Sequence, residues 1–112
     1  MKKIFVENDI GAILSPCYVH TAFKIKNASV LSGPSDYTMI FNIHNMPSGT
    51  VPITSVREDE ETYNDDFNDI WSKTFKDDVK RSRGLPIGVI VSSYINEDEK
   101  CLGIMKALEE VI

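Results

Sequence analysis

The twelve residues GLPIGVIVSSYI, Gly84 to Ile95, restrict this chain more than any other stretch. Their apolar character continues instead of alternating, which is the pattern of a strand whose sheet is covered on both faces. A chain of 112 residues must then supply layers for both sides of that sheet. Its 42% hydrophobic and 26% charged composition fits one soluble globular segment spanning residues 1–112.

Two further strands are expected. GAILSPC, Gly11 to Cys17, is a short apolar run ended by Pro16, and Val51 to Val56 is rich in β-branched residues. Between them SGPS, Ser32 to Ser35, reads as a turn, and Ser35 or Asp36 caps a helix starting near Tyr37. Met39, Ile40, Phe41 and Ile43 cannot share one stripe of that helix, which implies burial between layers. Pro47 is expected to end it, and Gly49 permits backbone angles or close approaches that a Cβ forbids.

Tyr63, Phe67, Ile70, Trp71 and Phe75 recur at helical spacing, so YNDDFNDIWSKTFKDDVK reads as an amphipathic helix. Glu60, Glu61, Asp65 and Asp66 at its start, and Lys73, Lys76, Lys80 and Arg81 toward its end, suit the helix dipole and a solvated face. Asn96 and Glu99 form a capping-box pattern ahead of a last helix, with an apolar stripe of Cys101, Leu102, Met105, Leu108 and Ile112. Strand, helix, strand, helix, strand, helix is an α/β order. Three strands make a narrow sheet with exposed edges, so the chain reads as part of a larger sheet, completed by a homodimer partner or by a missing portion of a split or truncated protein.

The chemistry that can be excluded is broad. A net charge of −5 offers no basic field for nucleic acid. Glu7 and Asp9 interrupt the N-terminal apolar patch before it reaches signal-peptide length, and no run approaches the ~18 apolar residues of a membrane span. Cys17 and Cys101 lack a C-x-x-C pattern and read as reduced thiols of an intracellular, cytoplasmic protein. His20 and His44 are isolated, so no metal is expected, and no phosphate- or dinucleotide-binding motif calls for a cofactor. The carboxylates Glu58 to Glu61 lack the alternation and glycine of a calcium loop.

YTMIFNIHNMPSGTVPITSV, then FNDIWSKTF, then GLPIGVIVSSY and EDEKCLGIMKALEEV, in that order, resemble the C-terminal part of amidase-signature hydrolases, most closely the fatty-acid amide hydrolase branch. The resemblance runs from about Asp9 to Ile112, and its motifs are Pro47, Gly49, Val51 and Pro52, then Gly84-Leu85-Pro86, then Cys101-Leu102 with Met105. It implies the C-terminal portion of an α/β fold with a mixed β-sheet flanked by helices, in enzymes that hydrolyse lipidic amides with two serines and a lysine. Those catalytic residues lie upstream in the family, so none is carried over; Ser32-Gly33 and Ser48-Gly49 are the only Ser-Gly pairs here, and neither has the family's Gly/Ser-rich setting. The match around LSGPSDYTM implies that Ser32, Ser35 and Met39 line part of the acyl-chain channel. Ile90 stands where the family commonly has glutamine, and Ser48 where it commonly has alanine. The implied partner is the missing N-terminal amidase portion, and the family's membrane-binding helices, which would make a parent enzyme peripheral at a membrane, lie outside the match. The other reading of the residues is a non-catalytic binding or interaction module that uses its sheet edge or last helix.

Overall fold

In a computed structural model, which describes residues 1–33 and 35–112, the unbroken apolar run becomes β3 (Pro86–Ser92), the central strand of a three-stranded sheet. On one side β1 (Ile13–Pro16) pairs with Ile13 opposite Ser92, and on the other β2 (Ser48–Ser55) pairs with Ser48 opposite the same Ser92. Both ladders are antiparallel. Among the described residues β1 and β2 pair on one side only, so the sheet is as narrow as expected and both its edges are open. Pro16 and Pro52 sit on these outer strands, the positions to which proline is largely confined within a sheet; the register slips between Pro52 and Thr54, a bulge at Ile53.

Five helices among the described residues complete the α/β arrangement: α1 (Lys2–Glu7), α2 (Ala28–Leu31), α3 (Asp36–Ile43), α4 (Ile70–Asp78) and α5 (Asp98–Glu109). Successive residues of a strand face opposite ways, and β3 uses this to anchor two cores. Ile90 joins Phe5, Phe41 and Met46 on one face, while Val91 joins Val51 and Cys101 on the other. Covering on both faces therefore holds for Ile90 to Ser93, all buried, but not for Pro86 and Ile87, which are exposed.

Pro47 does not stop α3. The Met46 N–H bonds the Phe41 carbonyl at 3.0 Å and the Asn45 N–H bonds the Asn42 carbonyl at 3.0 Å, with Asn45 left-handed at φ 51°. This paired closure, sealed by the Met46–Phe41 contact, ends the helix before the proline is reached. The expected burial of α3 between layers is also wrong. Only Phe41 is buried, while Met39, Ile40 and Ile43 are 47%, 45% and 74% exposed, because one face of α3 meets the sheet and no described element covers the rest. Within the SGPS turn, Pro34 lies outside the described residues; Ser32 is the C-cap residue of α2 and Ser35 the N-cap residue of α3, without a side-chain cap bond.

The amphipathic helix expected from Tyr63 starts only at Ile70. The Asp69 carboxylate accepts the Ser72 N–H at 2.8 Å, which caps α4 there. Tyr63 does meet Phe75, with ring centroids 5.2 Å apart, but by folding back on α4 rather than by sharing its face; Phe67 is exposed. The acidic residues thus do not serve a helix dipole. Glu60 accepts the Arg57 N–H at 2.8 Å in a 3₁₀ turn, Glu61 accepts the Arg83 N–H at 2.9 Å, and Asp65 pairs with Lys76 at 2.8 Å. Lys80 and Arg81 lie beyond the end of α4.

The capping box at Asn96 is likewise not formed. Asn96 is left-handed at φ 64°, Glu97 is the N-cap residue without a side-chain bond, and α5 opens at Asp98. Its inner stripe is Cys101, Ile104, Met105 and Leu108; Leu102 and Ile112 are exposed. Gly49 makes the close approach expected of it, since a Cβ there would overlap Met105 of α5.

Candidate functional site

The expected channel residues sit at the junction of α2 and α3. Ser32 is exposed at the end of α2, where its N–H bonds the Ala28 carbonyl at 2.9 Å. Ser35 and Met39 are one helical turn apart, and the Ser35 hydroxyl donates to the Met39 sulfur at 3.2 Å. The structure therefore brings Ser35 and Met39 together and leaves Ser32 on the far side of Gly33. The indole of Trp71 lies against Gly33, so close that a Cβ there would stand 3.1 Å from the ring. This neighbour was not assigned to the site from sequence, because the contact joins α4 to a turn distant along the chain.

The exposed side of α3 borders a cleft of about 350 Å³ walled mainly by Met1, Ile13, Tyr37, Ile40 and Phe41. Ser15 and Asp36 complete its wall, which does not include Ser32, Ser35 or Met39. Ile90, which stands where the resembled family commonly has glutamine, is absorbed into the core with Phe41 and Met46. Ser48 is held in the sheet, its hydroxyl 2.8 Å from that of Ser92. Lys24 and Lys26, the lysines nearest the SGPS serines in sequence, are both engaged with α4: Lys24 Nζ bonds the Asp77 carbonyl at 2.7 Å and Lys26 Nζ bonds the Asp77 carboxylate at 2.8 Å.

A polar cluster missed from sequence holds the end of α4. The buried Asp78 carboxylate accepts the Lys24 N–H at 3.0 Å and the Asn27 side-chain amide at 2.6 Å, and His20 Nδ1 lies 3.7 Å from its second oxygen. His20 stacks on Phe75, centroids 5.3 Å apart, and lines a second cavity with Tyr18, Cys17 and Ser82. Nothing in local spacing could reveal this, since the partners come from distant segments. Both cysteines are free: Cys17 is half-buried, and Cys101 is buried with its thiol donating to the Val91 carbonyl at 3.4 Å. Among the described residues no helix is long and apolar enough to cross a membrane.

Comparison with known proteins finds relatives along nearly the whole chain. It is 31% identical over 108 residues to fatty-acid amide hydrolase 1 of Sus scrofa, covering 93% of this chain and 18% of that protein. It is 30% identical over 110 residues to fatty acid amide hydrolase 1 of Caenorhabditis elegans, covering 95% of this chain and 19% of that protein. No family model matches the chain. The chain spans about a fifth of the length of these curated relatives. It is, in sum, similar over almost all its residues to a C-terminal stretch of fatty-acid amide hydrolases.

Proposed function

We propose that this chain is the C-terminal portion of an amide hydrolase of the amidase-signature kind, acting on lipidic amides, in which α3 and the turn before it form part of the acyl-chain wall. The observation that carries this reading is the uncovered apolar side of α3, with Met39, Ile40 and Ile43 all substantially exposed, on a chain whose relatives hydrolyse, by their names, fatty-acid amides. Met39 suits the role, because an unbranched thioether adapts to an irregular apolar ligand, and Ser35 beside it tethers the sulfur.

The packing supports a piece of a larger unit over a self-contained module. A chain of this mass is expected to expose about 6,200 Å² and to have a radius of gyration of about 13 Å. This one exposes 7717 Å² with a radius of 16.2 Å. The surplus of roughly 1,500 Å² exceeds one partner's share of a standard interface, about 800 Å². The covering partner is the N-terminal amidase portion, which would also bring the paired serines and the lysine; a second copy of the chain is the other way to close the sheet. The isolated chain is inactive in this reading, and its expected location is the cytoplasm, with any attachment to a membrane made by segments outside these residues.

The test uses the product of the full-length transcript, assayed for ammonia release from long-chain and short-chain primary amides. Met39→Trp should lower kcat/KM for the long amide by about tenfold or more and change that for the short amide little, as expected when an acyl subsite is blocked. An absence of hydrolysis, or a loss independent of chain length, would defeat the proposal.

A further inference from the structure

The second cavity stands apart from the proposed acyl wall, and the argument for it does not rest on that reading. It holds about 500 Å³ between the segment Cys17–Ala22, the strands β2 and β3, and the end of α4. That volume falls in the range of small-molecule sites. Most of its wall is apolar, with Val56, Val79, Pro52 and Tyr63 prominent, and it includes no Lys, Arg, Asp or Glu. A charged ligand would lose hydration there without a counter-charge.

Three wall residues nevertheless carry buried polar atoms without a hydrogen-bond partner: the Tyr18 hydroxyl, His20 Nε2 and the Ser82 hydroxyl. The His20 and Ser82 side chains are both more than nine-tenths buried. Their roles follow from their surroundings. His20 Nδ1 lies 3.1 Å from the Thr21 carbonyl, 3.4 Å from the Thr21 hydroxyl and 3.7 Å from the Asp78 carboxylate; the tautomer with the hydrogen on Nδ1 donates it to the Thr21 carbonyl, the shortest of these contacts. In the neutral ring Nε2 is then an acceptor, while the Ser82 and Tyr18 hydroxyls can donate. An unpartnered buried polar group raises the free energy of the folded state, and a ligand that satisfies it recovers that cost. The flat faces are already aligned, since His20 and Tyr63 both stack on Phe75 at interplanar angles of 29° and 26°.

We propose that this cavity binds a small uncharged aromatic molecule bearing a hydroxyl, its ring lying against Tyr63, Val56 and Val79 and its hydroxyl exchanging hydrogen bonds with His20 Nε2 and Ser82 Oγ. The test is an amide NMR titration of the ¹⁵N-labelled 112-residue chain with phenol, toluene and benzoate. Phenol should give saturable shifts concentrated at Cys17–Ala22, Ser82, Ile87 and Gly88; toluene should bind more weakly and benzoate should leave these amides unmoved. Ser82→Ala should raise the phenol Kd about five- to tenfold and leave that of toluene within about twofold, the loss of one neutral hydrogen bond. Ala22→Trp, at the exposed rim, should abolish phenol binding. Absent or scattered phenol shifts, benzoate binding as tight as phenol, or indifference to both variants would overturn the proposal. A collapsed amide spectrum of the unsubstituted chain would overturn it as well, because tertiary contacts alone form the cavity. Should Ser82→Ala fail to fold, the Ala22→Trp and benzoate arms decide.

Discussion

Replacing Gly49 with alanine puts a methyl group into the space that Met105 fills. The added Cβ would overlap the Met105 sulfur and stand 2.5 Å from its terminal carbon, so the α5 side chain must move or the β2 backbone must shift. Overpacking of this kind costs about 1–3 kcal/mol. The obstacle is the far end of a flexible side chain, which favours the lower half of that range, and alanine returns about 0.4–1 kcal/mol by stiffening the unfolded chain. A net loss of about 1 kcal/mol follows, or roughly 4 °C in Tm for a chain of this size. Thermal unfolding followed by far-ultraviolet circular dichroism measures it directly. The same substitution in a Met105→Ala background should be neutral or stabilising, so a double-mutant cycle should show a coupling of about 1 kcal/mol or more. If Gly49→Ala raises Tm in the unsubstituted chain, or costs the same in both backgrounds, Met105 is not what keeps this position free of a side chain.

Other outcomes follow from the same contacts. Asp78→Ala removes a buried carboxylate that accepts from Lys24 and Asn27, and should cost about 2–4 kcal/mol by denaturant titration; Asp78→Asn, which keeps an acceptor, should cost clearly less, and equal costs would contradict the assignment. The Lys76 ammonium, bonded to Asp65, holds that carboxyl below its ordinary value of 3.8. Its folded pKa is depressed, so the stabilisation is present above that ordinary value and disappears as the pH falls through the lowered one. Melting of the chain and of Asp65→Asn from pH 6 to about pH 2 should therefore show two curves that converge at the acid end, and a constant gap would refute the pairing. The isolated chain should release no ammonia from a long-chain primary amide above a buffer control; release abolished by Ser32→Ala or Ser48→Ala would instead mark a nucleophile within these residues.

The three strands and α5 were legible because each rests on a local run of apolar or β-branched residues. The apolar stretches at Ile13 and Pro86 and the β-branched run at Val51 became the three strands, and the stripe beginning at Cys101 became α5. Helices of six and four residues, α1 and α2, are too short to carry a period and were not foreseen. Tyr63 misled for a specific reason: its spacing from Phe75 matches a helix, yet the two rings stack because the acidic segment folds back, with Asp69 capping α4 in between. Stops were misread where left-handed residues decide them. Asn45 closes α3 ahead of the more conspicuous Pro47, and Asn96 turns the backbone where a capping box was expected.

The site divides in the same way. The Ser35–Met39 contact was within reach of sequence because it spans one helical turn. The Trp71–Gly33 contact and the His20–Asp78 cluster were not, since each is made only by tertiary packing. The exposure of Met39 and Ile43 runs against their apolar character, and this conflict between pattern and burial is what the proposed cover would resolve.

That cover can be sought in the coding sequence itself. Reading the full-length transcript upstream of Met1 tests the central proposal most directly. The account predicts an in-frame upstream segment containing a lysine and a Gly/Ser-rich stretch with paired serines, ahead of these 112 residues. A transcript with no such upstream coding segment would contradict it, and would leave a chain that resembles an amide hydrolase without having been part of an active one.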